Sequence, residues 1–197
     1  GLLPHAEGLQ GADAGFRASL DPGKPRRRSL SRLDRCGTIP KPHPQPHVAG
    51  MQQIDALLDQ VRACRLCADA LPLGPRPIFQ ASATARILIA SQAPGTKVHL
   101  SGVPFTDASG DRLRNWLGVT DGEFYDPQKF AIVPMGFCFP GQDAKGGDLP
   151  PRRECAIHWR KPLMDLMPQI DLVLTIGIYA QTWHMGAARH ASLSETV

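Results

Sequence analysis

The chain has 197 residues, 42% of them hydrophobic, which suffices for one domain with a real core, and no apolar run reaches the roughly 20 residues that span a bilayer. The whole excess of the +4 net charge lies in residues 1–50, where eight Lys and Arg face four acids; residues 51–197 hold 14 of each sign, so the basic balance is no evidence of a nucleic-acid face on the folded part. The start shows no basic segment followed by an apolar stretch, so a cytoplasmic location without a membrane partner is expected.

Residues 1–50 carry seven prolines, among them KPHPQPH, and show neither a helical nor a strand period. A disordered extension is expected there, with Met51, where periodic sequence begins, as the natural start of the protein. Its Lys24–Arg28 run can touch phosphates, but reads more simply as a solvated tail. From Met51 to Arg62, Ile54, Leu57, Leu58 and Val61 follow an i, i+3, i+4, i+7 pattern that predicts a helix. Residues 68–84, with three prolines, read as loop, and Ile87–Ala90 as a buried strand. Asp107 or Ser109 is placed to cap a helix through Leu113, Trp116 and Leu117 that ends at Gly118. A strand is predicted at Phe130–Met135, a Gly/Pro-rich loop at 139–151, and a helix from Arg153 to Met167. A third strand at Asp171–Ile176 ends in Gly177, and a helix follows at Tyr179–Met185. Near the end, Ser192 or Ser194 looks like the cap of a further helix, so the chain reads as stopping short of a complete domain.

Strands alternating with helices imply right-handed crossovers and a mostly parallel sheet covered on both faces, a three-layer α/β/α architecture. Ligands of such sheets bind outside the carboxyl ends of the strands. Ser91–Gly95, the loop after Met135, and Gly177 all fall at such ends.

Five cysteines are present, and Cys36 lies in the presumed tail without a partner. Cys64-x-x-Cys67 is followed by Cys138 and Cys155, with sixteen residues between the last two. Four thiolates in this order suit a tetrahedral zinc site or a [4Fe–4S] cluster; the alternative is a set of buried free cysteines with a chance doublet. The second pair is wide for a zinc ribbon. Gly141, Gly146 and Gly147 allow loop 139–151 to wrap a bulky cluster, which favours iron–sulfur over zinc.

Taken together, Ser91-Gln-Ala-Pro-Gly95 after a strand, Gly102-Val-Pro-Phe105, and Ser109-Gly-Asp-Arg-Leu113 opening a helix resemble the first motif of the uracil-DNA glycosylase superfamily. The cysteine order is similar to that of its iron–sulfur subgroup, and the likeness spans residues 51 to about 190. The resemblance implies that the domain 51–197 hydrolyses the N-glycosidic bond of a flipped, deaminated base in DNA, as a monomer, with a [4Fe–4S] cluster on Cys64, Cys67, Cys138 and Cys155. Gln92, Ala93, Pro94 and Gly95 would contact the base and, through the backbone of Gln92 and Ala93, position the attacking water. Phe105 would stack on the base. His99 and Asp107 are polar residues of the same loop that can orient water, or serve as a loop group and a helix cap.

The chain departs from the family pattern in three places. Its motif opens with Ser91 rather than Gly and has no carboxylate, since Gln92 and Ala93 stand where family members carry acids. The base-reading Asn falls on Pro134, which has no side-chain amide and no N–H. The His-Pro-Ser motif is not in the sequence, and His184 and His190 lack its context. These departures support a second reading, a non-catalytic nucleic-acid or nucleotide-binding protein that keeps the fold.

Overall fold

The structure, a computed structural model, describes residues 46–196. Cys36, the Lys24–Arg28 run and most of the expected extension lie outside the described residues. Helix α1 (Pro46–Arg62) starts ahead of the predicted Met51 and buries Ile54, Leu58 and Val61, the stripe its periodicity marks. After a short 3₁₀ turn at Ala68–Ala70, the chain enters β1 (Ile87–Ala90). Helices α2 (Thr96–Ser101), α3 (Ala108–Leu117) and α4 (Asp121–Phe124) lead to β2 (Phe130–Ile132). Next come α5 (Arg153–Cys155), a π turn (Ala156–Arg160) and α6 (Lys161–Asp165) without a break, then β3 (Leu172–Thr175), α7 (Ile178–Met185) and α8 (Leu193–Thr196).

The strands form a parallel sheet in the order β2-β1-β3, with Leu88 opposite Ala131 on one side and Val173 on the other. The predicted α/β fold is therefore present. The period of two in β1 divides the core: Leu88 and Ala90 pack with α1, Leu163 and Met167, while Ile89 packs with Phe124, Phe130 and Ile132 on the opposite face. Coverage on both faces holds for β1 and β2 but not for the start of β3, where Leu172 and Val173 are 49% and 38% exposed. Among the described residues no helix is long and apolar enough to cross a membrane.

Local chemistry explains the boundaries. Asp107, not Ser109, caps α3 by accepting a hydrogen bond from Gly110 N at 3.1 Å, and Gly118 ends it in the left-handed region at φ 66°. Ser192 caps α8 through a reciprocal pair with Glu195. The strand expected to reach Met135 ends at Ile132, yet Val133 N and Met135 N still donate to Ile89 O and Ser91 O, at 3.0 and 2.8 Å. Pro134 falls between these two donors, where its missing N–H costs no bond to β1. Part of the segment read as loop joins the sheet: Gln80 exchanges backbone hydrogen bonds with Ile132 as an antiparallel bridge. The helix predicted over Arg153–Met167 is interrupted by its π turn just ahead of Pro162. In a regular helix that ring would crowd the carbonyl four residues back and leave it without a donor, which accounts for the departure from the regular pattern ahead of it.

Candidate functional site

At the carboxyl end of β1 the chain turns through Ser91–Gly95 and, with Pro134 beyond β2 and Ile176 beyond β3, encloses a cleft of about 200 Å³. The predicted convergence of three strand ends on one rim is thus realised, as expected for an open parallel sheet. Gln92, Ala93, Pro94, Gly95, Phe105 and Asp107 all line this cleft. The Gln92 side chain lies against Gly177, 2.8 Å from where a Cβ would fall, and the φ of 86° at Gly177 is what calls for glycine there.

Phe105 is held in a costly conformation. At φ 56° it is the only positive-φ residue other than glycine among those described, a state worth about 1–3 kcal/mol of strain for a bulky side chain. Its carbonyl accepts hydrogen bonds from Arg114 Nη1 at 3.0 Å and Tyr125 OH at 3.3 Å. Its ring meets Phe124 edge-on, 6.0 Å between centroids. Gly110 leaves the room, since a Cβ there would stand 1.8 Å from the Phe105 carbonyl oxygen. Arg114 is buried and anchored by Asp111 and Asp121 at 2.6 and 2.7 Å. Burial raises the Tyr125 phenol, keeping it a hydrogen-bond donor. An aromatic ring is thereby fixed over one wall of the cleft.

The polar candidates separate. Asp107 Oδ1 is occupied by the α3 cap and by Ser109 Oγ at 2.6 Å, so its placement is that of a cap at the cleft edge. His99 does not line the cleft. It is buried on α2 with its ring 6.0 Å from Phe139, its Nδ1 has no hydrogen-bond partner, and burial, with Arg76 nearby, lowers its pKa. A carboxylate that the sequence reading did not single out does reach the cleft: Asp148, from the loop after β2. Its Oδ1 accepts from Gln142 Nε2 at 3.2 Å, and its Oδ2 lies 3.3 Å from where a Cβ on Gly95 would be. The backbone pairing of Gln142 with Asp148 folds the loop back, which no periodicity in residues 139–151 announces.

Pro134 forms part of the cleft floor and is held from below. Arg160, fully buried, donates from Nη1 to Val133 O and Pro134 O at 2.6 and 3.1 Å. Among the described residues no carboxylate pairs with it; its guanidinium lies 4.8 Å from the Trp183 ring centre and its Nη2 donates to His184 Nε2 at 2.5 Å. Burial, with the Arg160 charge, pushes His184 down to about 4, so the imidazole is neutral and accepts.

The four cysteines of the sequence pattern come together. Cys67 and Cys138 are buried against Leu71, and Cys155 hydrogen-bonds Cys67. Each remaining sulfur also has a donor: Trp159 Nε1 points at Cys64 Sγ from 3.2 Å, the Arg76 backbone N–H at Cys138 and the Phe137 backbone N–H at Cys155. Burial, with mutual repulsion of the thiolates, pushes Cys138 up to about 11 and Cys155 up to about 12. Arg65 and Arg152 act in the opposite sense on Cys138 and Cys67. Among the described residues no three His, Cys, Asp or Glu side chains are drawn around a single-ion position. Buried sulfurs that meet N–H donors and arginines are chemically suited to an iron–sulfur cluster, whose sulfurs accept such bonds.

Among known families, the model described as the uracil DNA glycosylase superfamily matches residues 78–196, which takes in every cleft-lining residue named above.

Proposed function

Because this chain belongs to the uracil DNA glycosylase superfamily, we propose that it removes a deaminated base, uracil or a relative, from DNA by hydrolysing the N-glycosidic bond. The observation that carries the proposal is the cleft: the Ser91–Gly95 turn faces an aromatic ring pinned in a strained backbone state, at the sheet edge where such folds bind ligands. Phe105 stacks on the flipped base, and the Gln92–Gly95 backbone contacts it and directs a water toward the sugar. Fixed backbone dipoles stabilise charge without reorganising as the bond breaks. Cys64, Cys67, Cys138 and Cys155 hold a [4Fe–4S] cluster in this reading, which supplies structural cross-linking between the end of α1, the loop after β2 and α5. Zinc is the second choice for the same ligands.

The test is incubation with a duplex carrying one deoxyuridine, scored for free uracil and for an alkali-labile abasic site. Release that falls at least tenfold in Phe105→Ala supports the proposal, and no release by protein with an intact cluster contradicts it. Pro134 at the cleft floor favours a second reading, in which the fold binds uracil-containing DNA without cutting it, because proline offers no amide to pair with the base edge. Retention of such DNA with no base release selects that reading.

A further inference from the structure

We infer that Asp148 supplies, from a different loop, the carboxylate that Ser91–Gly95 lacks, and faces the cationic sugar and the attacking water during bond cleavage. This rests on the glycosylase reading above. Three observations place it. Asp148 lines the main cleft together with Gln92, Ala93 and Phe105. It also lines an adjoining lobe of about 120 Å³, which shares Gln92 and Ala93 and is closed by Leu149, Pro150 and Tyr179. Asp148 therefore stands at the junction of the two spaces, opposite the turn. Its two oxygens are differentiated: Oδ1 is tied to Gln142, whereas Oδ2 is aimed at Gly95, close to van der Waals distance from where a side chain there would begin. Gly95 has an ordinary extended backbone (φ −80°), so what glycine provides is room for the carboxylate, not a special dihedral angle.

With the sugar of a Phe105-stacked base at that junction, Asp148 faces the place where positive charge develops as the bond to the base lengthens. An anion there is worth most in the transition state, when the charge exists, and little in the ground state. The step balances as follows. The water oxygen bonds to the sugar C1′ and the C1′–N bond breaks with its electron pair going to the base. One water proton passes to Asp148, and the departing base takes up a proton from solvent. The second water proton stays on the new hydroxyl. Asp148 then returns its proton to solvent.

The test reads binding as well as cleavage. The full chain is titrated with two duplexes, one with a neutral tetrahydrofuran abasic site and one with a cationic pyrrolidine in its place. The wild type is expected to prefer the cationic duplex by about 10–100-fold, the size of one screened ion contact in a partly closed site. Asp148→Asn, isosteric and in an exposed loop, should lose that preference while its affinity for the neutral duplex and its melting temperature stay put. Gly95→Ala, which pushes on Oδ2, should reduce the preference part of the way. A preference that survives in Asp148→Asn, or equal binding of both duplexes by the wild type, overturns the assignment and leaves the glycosylase reading standing. If neither duplex binds, the Asp148 assignment falls, and uracil release from the deoxyuridine duplex decides the glycosylase reading separately. Where the wild type also releases uracil, Asp148→Asn should slow single-turnover release at least 100-fold without weakening binding of the neutral duplex.

Discussion

Gly110→Ala should destabilise the protein, although alanine is the better helix former. In an open helical position the exchange is worth about 1 kcal/mol in favour of alanine. Here the added methyl would lie 1.8 Å from the Phe105 oxygen, 2.6 Å from its carbonyl carbon and 2.8 Å from its Cβ, all far inside contact distance. The Phe105 carbonyl must move, and it leaves both donors. Loss of the Arg114 hydrogen bond costs about 1.5–3 kcal/mol, while the Tyr125 hydroxyl keeps its shorter bond to Pro104 O at 2.9 Å and adds little. Net of the helix gain, about 0.5–2 kcal/mol of destabilisation remains, or roughly 1–8 °C in melting temperature for a domain of this size. The assay is reversible urea unfolding of the wild type, Gly110→Ala and Gly122→Ala. Gly122 lies in α4 with nothing near its would-be Cβ, so its substitution should be neutral or mildly stabilising. A Gly110→Ala protein as stable as the Gly122→Ala control would refute the claim that Phe105 is held through Gly110 and Arg114.

Serine at Cys64, Cys67, Cys138 or Cys155 should abolish bound iron, acid-labile sulfide and the visible charge-transfer absorbance of purified protein, whereas Cys36→Ser should keep all three. The neutral His184 sets a pH dependence: its pKa falls from an ordinary 6.5 to about 4 on folding, so below pH 6.5 the unfolded chain binds the extra proton. Stability should therefore decline as pH drops from 6.5 toward 4, by about 1–2 kcal/mol after allowing for partial water access, and His184→Gln should flatten that part of the curve in urea-unfolding titrations. Pro134→Asn places an amide at the cleft floor and should tighten binding of uracil-containing duplex over the thymine duplex by about five- to tenfold, one hydrogen bond's worth, in a competition assay.

The central strand β1 and helices α1 and α3 were legible because each rests on a single strong pattern: an unbroken apolar run for Ile87–Ala90, an i, i+3, i+4 stripe for Ile54–Val61, and a glycine stop at Gly118. Helix α2 was not, because Thr96–Ser101 presents only Val98 and His99 to the interior and is too short to show a period. Gln80 was passed over for a similar reason. A polar residue among prolines carries no strand signal, and its place is decided by a partner 52 positions away. The cleft was legible as a turn after a strand, with Phe105 at its wall. Its carboxylate was not, since Asp148 reaches Gly95 through an irregular loop fold set by the Gln142–Asp148 pairing and by Asp143, whose Oδ1 accepts from Lys145 N and Gly147 N. His99 shows the reverse: a polar residue beside the motif that points into the protein.

The π turn joins two regions that otherwise share no element. In a regular α-helix, residues five apart are rotated by about 140° from one another, so Cys155 and Arg160 would look in different directions. The wider turn brings both inward, one toward the sulfurs and the other under the carbonyls of Val133 and Pro134. The segment works as a short lever with the cysteines at one arm and the cleft floor at the other. A single-residue deletion within it would restore a regular helix while swinging one arm out of place.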